Sequence, residues 1–183
     1  VEERSSTSVR LDDGRVEELT TGLDRGAGVR VFQGTTYGYA YANRLDRDAL
    51  LEAAAAASAA LAGDAPGSVV DLTERTGPGT NRADRAASDV DAATKVGWLR
   101  TVDEAARGVS SEVVQVTGIY FDSMQRRLIA TSDGRWVRED RPRIRVVAQV
   151  VAKRGDVIQT GWQGPAACAG VEFLDVHPPQ ETG

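Results

Sequence analysis

The chain contains one histidine and one cysteine among 183 residues, and these two set the first limits on its chemistry. His177 stands in a His177-Pro178-Pro179 run, and Cys168 is followed by Ala169-Gly170. A catalytic zinc normally takes three protein ligands, usually with histidine among them, and the helical H-E-x-x-H spacing sets two imidazoles on one face. One histidine cannot supply that set, and any Cys/His or Ser/His pair would have to use His177 itself, which is expected to be solvated in a frayed tail. Phosphate cradling is as weakly supported. Gly26-Ala27-Gly28 opens an apolar strand, whereas a dinucleotide fingerprint places G-x-G-x-x-G between a strand and a helix, and no G-x-x-x-x-G-K-[ST] occurs. Asp12-Asp13-Gly14 lacks the calcium-loop spacing and reads as a hairpin turn, as does Arg154-Gly155-Asp156. The acid pairs Glu17-Glu18 and Glu139-Asp140, and the interleaved Arg138, Arg141, Arg143 and Arg145, read as a solvated, salt-laced surface. The residues offer no convergent reactive set.

Tyr37, Tyr39 and Tyr41 are spaced by two, so all three face one side of a strand. Alternation favours a half-buried sheet face for them over a ligand-stacking platform. The elements around them are legible. Val9 and Leu11 alternate with polar residues up to an Asp13-Gly14 turn, after which Val16 and Leu19 resume the apolar pattern. A second pair of strands is expected at Val29–Phe32 and Tyr37–Tyr41, around a Gln33-Gly34 turn. Asp46 is placed to cap a helix with a Leu45/Leu50 staple, an apolar stripe of Leu50, Ala54, Ala57 and Leu61, and a stop at Gly63. Its many alanines predict close packing against a neighbouring element. Ser88 and Asp91 resemble a capping box for a second helix to about Arg107, with Ala92, Val96, Leu99, Val102 and Ala106 on its apolar side. Strands follow at Val113–Phe121, around Leu128-Ile129 before an Asp133-Gly134 turn, at Ile144–Val151 and, beyond Gly155-Asp156, at Val157–Trp162.

These elements predict an α+β fold: antiparallel twisted sheets with two long helices, and with two β-rich units that resemble each other. Asp13-Gly14-Arg15-Val16 parallels Asp133-Gly134-Arg135-Trp136, and Val29–Phe32 with Tyr37-Gly38-Tyr39 parallels Ile144–Val147 with Thr160-Gly161-Trp162. Two copies of one unit, one larger sheet visited twice, and chance all fit that similarity. The expected division is a first β-rich unit plus helix at 1–63, a linker at 64–84 carrying Pro66-Gly67 and Gly77-Pro78-Gly79, and a second helix plus β-rich unit at 85–183.

Composition narrows the class. Apolar residues make up 41% and charged residues 27%, a globular balance, and the formal net charge of −5 argues against a general phosphate-backbone binder. A single cysteine excludes an intrachain disulfide and fits a reducing compartment. No apolar run approaches the roughly 18–20 residues that span a bilayer, so neither membrane nor nucleic acid is expected as a partner. The chain opens on Val1 without Met, and the expectation is a trimmed, soluble, cytoplasmic piece of a longer protein.

Several segments, in order, resemble the N-terminal region of the TldD/PmbA family, historically called modulators of DNA gyrase and regarded as zinc metallopeptidases. Val1-Glu2-Glu3-Arg4, Ser8-Val9-Arg10 and Asp13-Gly14-Arg15-Val16-Glu17 look like the family's first hairpin. Asp24-Arg25-Gly26-Ala27-Gly28-Val29-Arg30-Val31 is similar to its glycine-valine-arginine strand, followed by Tyr37-Gly38-Tyr39-Ala40 and the helix start Leu45-Asp46-Arg47-Asp48-Ala49-Leu50. Val113-Val114-Gln115-Val116, Thr131-Ser132-Asp133-Gly134, Arg143-Ile144-Arg145-Val146 and Gly170-Val171-Glu172-Phe173-Leu174 match further on. The resemblance implies a bacterial, cytoplasmic hydrolase that degrades unfolded or peptide substrates and forms a homo- or heterodimer with a family member. In TldD-type members a His-Glu-x-x-x-His zinc helix lies in the C-terminal half. The present chain ends before such a segment, so no catalytic residue and no metal ligand is carried over onto it. Zinc is expected in the C-terminal half, no cofactor in this chain, and no activity from it alone. The Gly161–Gly170 stretch and Val171–Asp175 favour a TldD-like parent; the alternative is part of a zinc-free PmbA/TldE-like partner or scaffold. In either case the region would shape assembly and the substrate path beside its own C-terminal half. Strand addition by an extended peptide at Tyr37, Tyr39 and Tyr41 is the one binding role these residues suggest, against internally paired edges. A free-standing small-molecule enzyme built on carboxylates, Tyr120 or Cys168 is the third class, and no residue pair sets up its acid and base.

Overall fold

A computed structural model describes residues 1–61, 73–74 and 82–183. Among them the strands are β1 (Glu2–Asp12), β2 (Arg15–Gln33), β3 (Thr36–Ala42), β4 (Thr73–Glu74), β5 (Val113–Ala130), β6 (Arg135–Arg154), β7 (Val157–Gln163) and β8 (Ala166–Ala167). The helices are α1 (Arg47–Ala59), α2 (Ala92–Val109) and the short α3 (Phe173–Val176), with 3-10 turns at Ala87–Asp89 and Pro179–Glu181. The strand order is β3-β2-β1-β5-β6-β4, with β7 and β8 also on β6. β3 pairs antiparallel with β2, β7 and β8 antiparallel with β6, and β4 parallel with β6. This is an α+β open sheet, mostly antiparallel, with two long helices, as expected. Among the described residues no helix is long and apolar enough to cross a membrane. Gly63, Pro66-Gly67 and Gly77-Pro78-Gly79 lie outside the described residues, as does most of the expected linker.

The turns follow from backbone chemistry. Asp13 (φ 46°) and Gly14 (φ 75°) take the two successive positive φ values of a tight hairpin, and Gly34 and Gly155 supply φ 59° and 58° for the two-residue loops after β2 and β6. One expectation is corrected: the strands expected at Val16–Leu19 and Val29–Phe32 are a single strand, β2. Its first eleven residues, from Arg15 to Arg25, are exposed on both faces, so no alternation marks them as strand.

The fold divides into two compact units, and the strands β1, β2, β5 and β6 contribute to both. The first comprises Val1–Arg4, Leu23–Gly79 and Gln125–Glu139. Its helix α1 starts where the sequence places it: the Ala49 N–H donates to the Asp46 carboxylate at 2.9 Å. The buried line of α1 is Ala49, Ala53 and Ala57, in place of the expected Leu50, Ala54, Ala57 and Leu61. The reason lies on β3, which meets α1 through Gly38: a Cβ there would overlap the Ala57 carbonyl oxygen. Only small residues permit so close an approach, and Leu50 and Leu61 sit half-buried beside the seam.

The second unit comprises Ser5–Gly22, Thr80–Met124 and Asp140–Gly183. It is built on large apolar side chains: Val9 and Leu11 of β1, Leu99 and Val102 of α2, Tyr120 of β5, and Ile144, Val146 and Ala148 of β6 are all buried in one cluster. The N-cap of α2 is Asp91, whose carboxylate accepts from the Thr94 N–H at 2.7 Å. The expected Ser88 capping box is thereby corrected, since Ser88 lies in the preceding 3-10 turn. Ala92, expected on the apolar side of α2, is exposed. The tail is also not frayed. Val171, Phe173 and Leu174 join the cluster, Pro179 and Thr182 are buried, and Gly183 abuts the Val102 carbonyl of α2. Glu172 fastens the segment by accepting from the Arg85 N–H (3.0 Å) and Gly170 N–H (2.7 Å). Burial pushes its carboxyl up, but these backbone donors outweigh it and hold the group below its ordinary value.

Candidate functional site

The tyrosine strand β3 ends the sheet order, and α1 packs on it. The register runs Gln33↔Thr36, Phe32↔Tyr37, Val31↔Gly38, Arg30↔Tyr39, Val29↔Ala40, Gly28↔Tyr41 and Ala27↔Ala42. A two-residue loop makes Gln33 and Thr36 a hydrogen-bonded pair, so by alternation Tyr37, Tyr39 and Tyr41 occupy the non-hydrogen-bonded positions. Their backbone N–H and C=O groups therefore point away from β2, toward the edge on which β3 has no partner strand among the described residues. Among the described residues no other backbone hydrogen bond engages them.

Their side chains share the face opposite Gly38. They are 59%, 53% and 62% exposed, which corrects the half-buried sheet face expected for them. The cause is that α1 covers only the Gly38 face of β3. The neighbouring strand adapts to the rings. Tyr41 leans diagonally over Gly26 and Tyr39 over Gly28; a Cβ at Gly28 would lie 2.6 Å from the Tyr39 hydroxyl, and one at Gly26 would enter the Tyr41 ring. The Gly26-Ala27-Gly28 run is thus a seat for two aromatic rings. Arg30 extends over the same face, its guanidinium carbon 5.1 Å from the Tyr37 ring centroid and 5.6 Å from that of Tyr39. Phe32 meets Tyr37 at 6.0 Å between centroids.

An open trough of about 810 Å³ borders this face, and all its lining belongs to the first unit. Its charged walls are Arg4, Arg25, Arg30 and Arg127 against Glu2 and Asp24, a formal +2. Arg127 pairs with Glu139 at 3.0 Å, and Glu2 accepts from the Gln125 side chain at 2.7 Å. Arg4, Arg25 and Arg30 have no carboxylate partner among the described residues. Sequence reasoning singled out the tyrosines but missed these arginines and the role of the glycines. The signal was available: counting outward from the two-residue loop at Gly34 sets Arg30 beside Tyr39 and Gly28 beside Tyr41.

The remaining candidates stay apart. The Cys168 thiol is free and exposed. His177 is exposed and its ring stacks on Phe173 at 4.7 Å. Among the described residues no three of His, Cys, Asp and Glu converge to hold a metal ion, so the donor set present does not fit a catalytic zinc. Tyr120 is wholly buried, and burial, with the nearby Asp122 charge adding, raises its phenol well above the ordinary value; it is held out of reach of any substrate. The buried pair beside it, Lys95 Nζ to Asp122 Oδ2 at 2.7 Å with side chains 4% and 8% exposed, ties α2 to β5.

Comparison with known proteins agrees with this architecture. Residues 1–61 match the PmbA/TldA metallopeptidase domain 1, and residues 85–175 match the PmbA/TldA metallopeptidase central domain. A metalloprotease of Methanothermobacter thermautotrophicus is 28% identical over 97% of this chain and 38% of its own length. A metalloprotease TldD homolog of Haemophilus influenzae is 25% identical over 90% of this chain and 34% of its own length. The chain therefore spans little more than a third of these relatives. Among solved structures, a Thermotoga maritima protein described as a candidate modulator of a DNA gyrase superposes with a TM-score of 0.79 at 16% identity, covering 99% of this chain and 41% of that one. TldE from Thermococcus kodakarensis does so with a TM-score of 0.56 at 16% identity, over 99% and 43%. With both family segments matched in order and most of the chain accounted for, the chain belongs to the PmbA/TldD metallopeptidase family, of which it carries the first and central domains.

Proposed function

We propose that this chain is the N-terminal, non-catalytic region of a TldD-like zinc metallopeptidase, and that it guides unfolded or peptide substrates of a cytoplasmic proteolytic assembly. The names of the sequence relatives support the TldD-like parent over a zinc-free PmbA/TldE-like partner. The division of labour is supported by the share of the relatives that the chain spans and by the donor set among the described residues, which does not fit a catalytic zinc. A linker at 64–84 between its two regions belongs to this reading, supported by one family segment ending at residue 61 and the next beginning at residue 85. Pairing with a second family member, a homo- or heterodimer, belongs to the same reading.

The observation that carries the substrate role is the outward-facing backbone of Tyr37, Tyr39 and Tyr41 on the end strand. An extended peptide can satisfy those N–H and C=O groups as an added strand with little demand on its sequence, while its alternate side chains rest on the tyrosine rings. The test uses the full-length parent with Tyr39→Pro, which removes an outward donor and leaves the β2 ladder intact, and separately with all three tyrosines changed to alanine. Peptide cleavage is expected to fall by about tenfold or more in kcat/KM, the equivalent of losing roughly one or two backbone hydrogen bonds, with partner association unchanged. Unaltered cleavage in both variants would remove the role.

A further inference from the structure

We infer that the β3 face selects acidic peptides, the occupant being an extended segment with Glu or Asp at alternate positions. The inference rests on the strand-addition reading above and adds the class of side chain it takes. The chain carries a net −5, yet the charged residues lining the trough beside β3 sum to +2, and to +1 once Glu139, the partner of Arg127, is counted. Within it Arg4, Arg25 and Arg30 are not neutralised by any carboxylate among the described residues. Arg30 is the best placed, because its guanidinium carbon lies 5.1 and 5.6 Å from the centroids of the Tyr37 and Tyr39 rings on the exposed face. Arg30 makes no ion pair among the described residues, and a guanidinium fork matches a carboxylate bidentately. A strand added to β3 projects every second side chain onto this same face, at a spacing of about 6.8 Å. Acidic residues at those positions would meet Arg30 directly and lie in the field of Arg4 and Arg25.

Aromatic rings beside arginines also suit single-stranded nucleic acid. One feature favours the peptide: the edge of β3 offers alternating donors and acceptors, which a peptide backbone matches and a phosphodiester, having acceptors only, does not.

The test titrates the 183-residue chain with fluorescein-labelled peptides of about nine residues, long enough to cover the strand. Their alternate positions hold Glu, Gln or Lys, and an oligothymidylate of similar length forms a fourth arm. The Glu peptide is expected to bind about tenfold more tightly than the Gln peptide, the worth of one charge-assisted bond. That advantage, read as the ratio of Glu-peptide to Gln-peptide affinity, should vanish at about 500 mM salt and in Arg25→Gln/Arg30→Gln. Equal affinities for the three peptides would overturn acid selection while leaving strand addition standing. Oligothymidylate binding more tightly than the Glu peptide would overturn it in favour of nucleic acid. No binding by any peptide, or Glu-peptide binding that survives Tyr39→Pro, would instead strike the strand-addition reading and the inference with it.

Discussion

The two units solve the same packing problem with opposite materials. The second buries Leu11, Leu99, Tyr120, Ile144 and their neighbours in one cluster and admits the buried Lys95–Asp122 ion pair. The first buries Ala27, Ala49, Ala53 and Ala57 and leaves Phe32, Tyr37, Tyr39 and Tyr41 more than half exposed. Burial free energy scales with apolar area, so the second unit takes the larger share of the hydrophobic stabilisation. What the first unit gains is close backbone approach on one face and an aromatic surface left open on the other. A face that buries its own rings cannot offer them to a ligand.

The sharpest way to break this comparison is at the buried pair of the second unit. Lys95→Met leaves the Asp122 carboxyl without its cation inside the core, and should cost about 3–5 kcal/mol, read from urea unfolding. Lys95→Met with Asp122→Leu should recover most of it. A single-variant loss under about 1 kcal/mol would mean that water reaches the pair and that the second unit is looser than its packing indicates. A smaller effect is expected in the first unit from Gly38→Ala, whose Cβ collides with the Ala57 carbonyl. About 1–3 kcal/mol should be lost, with faster hydrogen exchange in α1 and β3 and unchanged protection in α2. Equal loss of protection in both helices would show that the two units unfold as one.

The smallest effect compares a device that both units share. Asp46 and Asp91 are each held below the ordinary carboxyl value of 3.8, chiefly by the backbone N–H of Ala49 and of Thr94 respectively. A carboxyl lowered in the folded state contributes its stability fully above the unfolded value and loses it as pH falls through the folded one. Stability should therefore drop as pH descends below about 3.8. Asp46→Asn and Asp91→Asn should each flatten that acid limb slightly when urea midpoints at neutral and acid pH are compared. An unchanged acid limb in either variant would remove that cap from the account.

Much of this architecture is legible in the amino-acid sequence. Turn chemistry places the bends at Asp13-Gly14, Gly34, Asp133-Gly134 and Gly155, and Asp46 marks its helix because a carboxylate ahead of a run of helix formers has one economical use. The full extent of β2 is hidden, because a strand wet on both faces carries no periodicity. Lys95 and Asp122 are hidden for a different reason: each looks like ordinary surface charge, and only tertiary packing brings two residues 27 positions apart into one ion pair. The tyrosine face is located correctly by its spacing and misjudged in its burial, because spacing tells which residues share a side but not which side a helix will cover. The ordered tail escapes notice because prolines near Gly183 suggest looseness, while the anchoring comes from Glu172 and two backbone donors.

The seating of Tyr39 on Gly28 and Tyr41 on Gly26 makes each ring and its glycine interdependent. A methyl at either glycine displaces an aromatic side chain, so drift at positions 26 and 28 is tolerated only when 41 and 39 shrink in step. Among descendants of this sequence, these four sites should change as two linked couples, and a lineage that fills one glycine while keeping its tyrosine will have rebuilt the surface beside Arg30.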